Sequence, residues 1–105
     1  MLTAIEAIEQ FVEGMDFKEF YADDKTVSAV IRKFEIMGKA ARHIPEEVRA
    51  LAPSVPWRQI IGLRNKLMHF YFGLKHELIW ETIKSRLPWL KERLRRLLHD
   101  LRKQI

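Results

Sequence analysis

The stretch DKTVSAVIRKFEIMGKAARH, residues 24–43, decides the fold class. Val27, Val30, Ile31, Phe34, Met37 and Ala41 recur every three or four positions. A helix turning about 100° per residue gathers them on one face. Asp23 or Asp24 supplies a carboxylate that can accept the unpaired N–H groups of the first turn, and the helix stops before Pro45. One broad apolar face needs further helices to cover it.

The flanking segments supply them. Leu2, Ile5, Ile8 and Val12 step in the same way and predict a first helix ended by Gly14. MDFKEFYADD, residues 15–24, reads as a connector anchored by Phe17, Phe20 and Tyr21. PEEVRAL can form one or two turns, and APSVPW is a loop whose Pro56 suits the first turn of the next helix. That helix is expected from about Trp57 towards His69, before Gly73 breaks the pattern. HELIWETIKSRL forms another, and Pro88 opens a last helix striped by Leu90, Leu94, Leu97, Leu98, Leu101 and Ile105. No repeat or strand alternation interrupts the series. The expectation is one all-α domain over residues 1–105, a bundle of four or five helices. A small bundle with wide apolar faces buries little surface alone, so one face is expected to close a homodimer.

Apolar residues make up 48 % and charged residues 31 % of the 105, as in a globular domain. The absence of cysteine excludes disulfides and thiolate metal sites and favours a reducing, cytoplasmic setting. No apolar run approaches the roughly 20 residues of a membrane span. No basic segment precedes an apolar block at the start, so no signal peptide is expected. The net charge is +5 and unevenly spread. Residues 1–24 carry Glu6, Glu9, Glu13, Asp16, Glu19, Asp23 and Asp24 against Lys18 alone. Residues 84–105 carry Lys84, Arg86, Lys91, Arg93, Arg95, Arg96, Arg102 and Lys103 against Glu92 and Asp100. The basic end fits an anionic partner, nucleic acid first; it also fits a solvated helix face lying towards the acidic front.

A second stretch, GLRNKLMHFYFG, residues 62–73, sets Arg64, Asn65, His69 and Tyr71 in an apolar run. On a straight helix from Trp57, Arg64 falls about 40° from Ile60, inside the apolar arc. A guanidinium there needs an acid, and Glu35 is the candidate partner. Arg64 and His69 point about 140° apart, so joint action on one substrate requires the helix to end or bend near Met68 and His69, or a second copy to supply one group. Imidazole moves protons near neutral pH, and guanidinium grips phosphate and holds developing negative charge. The pair suffices in principle to cleave RNA through its own 2′-OH. Composition and spacing alone do not choose this over a structural ion pair. Neither a metal-ligand pattern nor a cofactor motif is present, and His43, His76 and His99 read as ordinary. Trp57, Trp80 and Trp89 read as core or interface anchors.

Arg64 to Tyr71 spell R-N-x3-H-x-Y. With the E-I-x-G-x-A segment at Glu35–Ala40, the Pro56-Trp57 pair and the tail YFG…WETI…LP, the chain resembles the HEPN superfamily in its HepT-like branch. The resemblance implies a dimer of helical bundles with a shared cleft and a metal-independent endoribonuclease. It further implies catalytic roles for Arg64 and His69, and phosphate positioning by Asn65. Tyr71 corresponds to the tyrosine that takes AMP from a minimal nucleotidyltransferase (MNT) antitoxin. The implied partners are RNA, that transferase and a second copy. The alternative is a non-catalytic module that binds RNA or nucleotide, or serves only as partner and substrate of the transferase.

Overall fold

The computed structural model describes residues 1–103. Its elements are α1 (Leu2–Phe11), α2 (Phe17–Ala22), α3 (Asp24–Arg42), α4 (Glu46–Arg49), α5 (Trp57–Ile61), α6 (Leu63–Phe72), α7 (His76–Glu81), a π-helical turn (Thr82–Arg86) and α8 (Leu87–Lys103). No strand occurs among the described residues, so the all-α expectation holds. Ile105, the last residue of the expected C-terminal stripe, lies outside them.

The 24–43 stripe is the axis of the bundle. Val27, Val30, Phe34, Met37 and Ala41 are wholly buried, in one cluster with Ile5, Ile8, Leu67 and Ile79. Burying each of the larger side chains contributes about 1.5–3 kcal/mol. α1 lies along α3 and touches α8; α5 and α6 pack on α3; α2 bridges α3 and α7. Asp23 caps α3, its carboxylate accepting from the Thr26 amide at 3.1 Å and the Thr26 hydroxyl at 2.8 Å. The backbone amide contact comes first in holding Asp23 below the usual carboxylate range. No helix among the described residues is long and apolar enough to cross a membrane.

Three elements depart from expectation. The connector at 15–24 contains α2, opened by a reciprocal capping box between Asp16 and Glu19. Asp16 Oδ1 accepts from the Glu19 amide at 2.8 Å, and Glu19 Oε1 from the Asp16 amide at 3.1 Å. Secondly, Pro88 does not open a separate helix. Proline has no amide hydrogen for the helical ladder. The chain widens ahead of it, the Leu87 amide donating to the Thr82 carbonyl five residues back, and α7 runs through the π turn into α8.

The third departure positions the site. The helix expected from Trp57 to His69 breaks at Gly62, where ψ of 3° leaves the helical range. No end or bend occurs at Met68 or His69; α6 continues to Phe72. α3 passes very close to this break. A Cβ built on Gly38 would stand 3.1 Å from the carbonyl oxygens of both Ile60 and Ile61. Glycine at 38 thus lets α3 rest on the α5–α6 junction, one helical turn from Glu35.

Candidate functional site

The break at Gly62 resets the helical phase, so Arg64 is not in the buried arc. Its side chain is half exposed. It still meets the expected acid: Arg64 Nε donates to Glu35 Oε2 at 3.3 Å. Glu35 is mostly covered and gathers two further cations, Arg32 at 3.1 Å and Lys39 at 3.4 Å. Burial alone would raise its pKa; the Lys39 hydrogen bond, the Arg32 charge and the Arg64 hydrogen bond together outweigh this and lower it. Glu35 is therefore a carboxylate at neutral pH, and it restrains a guanidinium whose outer face stays open. Arg64 also approaches Asn65 Oδ1 at 3.4 Å, at the long limit of a hydrogen bond.

α6 sorts the remaining residues by angle. Leu67 is wholly buried, while Asn65 and His69, four positions apart, are exposed on the opposite side. Arg64 and His69 stay about 140° apart on an intact helix. The His69 side chain makes no hydrogen bond to another described residue, and its ring lies near that of Phe70, centroids 6.5 Å apart. On the flank away from Arg64, Leu63 and Lys66 of α6 border an open groove of about 660 Å³. Phe34, Ile60, Leu87, Leu90 and Trp89 make it largely apolar, with Arg58 and Arg86 also lining it.

Tyr71 lies half-buried on the α3 side of α6. Its hydroxyl donates to Asp24 Oδ1 at 2.5 Å. That hydrogen bond first, then burial and the Asp24 charge, push its pKa above the ordinary phenol value. His76, the first residue of α7, packs edge-on to the Tyr71 ring at 5.5 Å and against Tyr21 at 4.9 Å. It is buried, and its Nδ1 has no hydrogen-bond partner among the described residues. In the sequence Asp24 reads only as a possible cap and His76 as an ordinary histidine. Forty-seven positions separate Asp24 from Tyr71, and no local pattern announces their contact.

The basic C-terminal helix is partly neutralised from the front of the chain. Lys91 pairs with Glu9 at 2.7 Å, and Arg93 covers the Trp89 ring at 5.0 Å. Arg95, Arg96, Arg102 and Lys103 are exposed and pair with no acid among the described residues. Trp57 is an anchor as expected, its indole N–H shared between the Arg49 and Ala52 carbonyls at 3.2 Å each. Trp80 packs on Phe20, centroids 5.0 Å apart.

Known proteins resemble the chain over nearly its whole length. The family model described as "Ribonuclease HepT-like" matches residues 1–97. A protein of Thermococcus cleftensis named "Probable ribonuclease HepT" is 43 % identical over 94 residues, covering 90 % of this chain and 86 % of that one. A "Putative RNase" of Caldanaerobacter subterraneus subsp. tengcongensis is 37 % identical over 98 residues, 93 % and 88 % of the two chains. Another so named, from Methanocaldococcus jannaschii, is 35 % identical over 101 residues, 96 % and 87 %. No solved structure matches the chain.

Proposed function

This chain belongs to the HepT-like ribonuclease family, and from that premise we propose that it is the endoribonuclease toxin of a toxin–antitoxin pair, acting in the cytoplasm on RNA. His69 takes the proton of a ribose 2′-OH, and the 2′ oxygen attacks the adjacent phosphorus. Arg64 holds the charge that develops on the non-bridging oxygens. The bond to the 5′ oxygen breaks, leaving a 2′,3′-cyclic phosphate and, once an imidazolium returns a proton, a 5′-hydroxyl. Glu35 keeps Arg64 in place, and Asn65 positions the phosphate. The step balances without a metal ion.

The carrying observation is the unbroken α6, with Arg64 restrained by Glu35 on one flank and His69 exposed on another. One copy cannot aim both groups at one phosphorus, so the reading requires a cleft between two copies. The apolar groove beside Leu63 and Lys66 supports this, because a second copy can cover it. Tyr71 is the acceptor of AMP from a minimal nucleotidyltransferase antitoxin, and the added group blocks the cleft. A second reading, a module that binds RNA without cutting it, draws on the His69 imidazole having no hydrogen-bond partner among the described residues to orient it.

RNA incubated with the protein in EDTA separates them. The proposal expects cleavage with 2′,3′-cyclic phosphate ends, abolished in folded His69→Ala and Arg64→Ala proteins. Retained RNA binding with no cleavage in the wild type favours the binding module. Toxicity that survives in Tyr71→Phe but escapes the transferase supports the modification; continued protection of that variant contradicts it.

A further inference from the structure

The Asp24–Tyr71 contact is not needed to cap α3. Asp23 does that, leaving the Asp24 carboxylate free to cross to α6. A phenol at neutral pH is a weak nucleophile and needs a base in reach of its proton. Tyr71 has one at 2.5 Å. Its ring is held from the side by buried His76, which Tyr21 backs in turn. Among the described residues, the carboxylate on the hydroxyl is Asp24 of α3, while the His76 imidazole of α7 lies against the ring and the Tyr21 phenol of α2 against that imidazole.

We propose that Asp24 and Tyr71 form a base–nucleophile pair, in which the Asp24 carboxylate takes the phenolic proton as the Tyr71 oxygen attacks the α-phosphorus of a nucleoside triphosphate. A bond forms from the phenolic oxygen to phosphorus, and the bond to the bridging oxygen breaks. Pyrophosphate leaves with that electron pair, and Asp24 passes its proton to water. The inference rests on the reading of Tyr71 as the AMP acceptor and adds that this chain, not the transferase, supplies the base. The raised pKa of Tyr71 fits the role, since little phenolate exists beforehand and the proton must leave during attack. His76 is a positioning residue that fixes the ring.

The pair can be tested without any partner, using a small arylsulfonyl fluoride and peptide mass spectrometry. Tyr21, the other tyrosine and half exposed, is the internal reference. Expected is a Tyr71 rate above that of Tyr21 at neutral pH and flat with pH there. This comparison of two tyrosines within one protein needs no variant. Asp24→Asn keeps a hydrogen-bond acceptor but loses the base. It should slow Tyr71 by about 10²-fold and make its rate rise with hydroxide. A Tyr71 rate equal to that of Tyr21, or unchanged in Asp24→Asn, overturns the pair. A second arm uses ATP, magnesium and the paired minimal nucleotidyltransferase. Adenylylation of the wild type at Tyr71 that slows in Asp24→Asn supports the inference, and equal rates refute it. Sulfonylation as expected with no adenylylation leaves the pair standing and overturns the acceptor reading.

Discussion

Gly38→Ala sets two opposed effects against each other. Alanine is better than glycine inside a helix by about 1 kcal/mol, and position 38 is interior to α3. On an open helix face the change would therefore stabilise. Here the new Cβ meets the Ile60 and Ile61 carbonyl oxygens at 3.1 Å each. Both are backbone atoms at the α5–α6 junction, so neither can swing aside. Overpacking of this kind costs about 1–3 kcal/mol. The net expectation is a loss of about 1 kcal/mol, a fall in melting temperature of about 4–8 °C for a domain of this size. The junction must also move off α3 by a few tenths of an ångström, lengthening an Arg64–Glu35 contact already at 3.3 Å. RNA cleavage should then fall further than stability explains, because small displacements of a positioned group are costly in rate. Thermal melting by circular dichroism and cleavage by the folded variant measure the two. A variant more stable by the full helix-propensity gain would refute the close approach and the positioning built on it.

Leu74 takes a left-handed conformation, φ 58°, at the turn closing α6, one residue after Gly73, and is largely exposed. Leu74→Gly should stabilise by about 1 kcal/mol in urea unfolding, since the strain is relieved and little burial is lost. In a Tyr21→Phe background Tyr71 is the sole tyrosine, and ultraviolet titration should give a pKa above the ordinary 10.0, falling back in Asp24→Asn. Its raised folded-state pKa contributes stability present below the unfolded value and lost as pH rises through the folded one. Glu35 has the opposite sign: its lowered pKa contributes stability present above the unfolded value and lost as pH falls through the folded one. Glu35→Gln should flatten that acid limb of the melting profile.

Much of the bundle is readable in the chain because burial imposes a period on it. The α3 stripe, the Asp23 cap and the turn at Gly14, where φ is 76°, each follow from a local rule. α2 was also legible: Asp16 and Glu19 stand three apart, the spacing of a capping box, although the aromatic residues around them read as loop anchors. The break at Gly62 was not. It depends on the Gly38 backbone arriving from another helix, and until that contact exists the 57–69 pattern is consistent with one straight rod. The Glu35–Arg64 pair was inferable because Glu35 is the one acid on the apolar-rich stretch VIRKFEIMG, though the burial assumed for Arg64 disappears once the helix is interrupted. The Asp24–Tyr71–His76 cluster had no sequence signal, because three helices bring its members together.

The central claim is a cleft in which one copy's guanidinium and its partner's imidazole serve the same phosphodiester. Arg64→Ala and His69→Ala proteins, each inactive alone, can be unfolded together, refolded as mixed dimers and assayed on RNA in EDTA. The mixed dimers hold one intact Arg64 and one intact His69 on different copies, and cleavage is predicted to return. Mixed dimers that form in full and remain as inactive as either parent would contradict it.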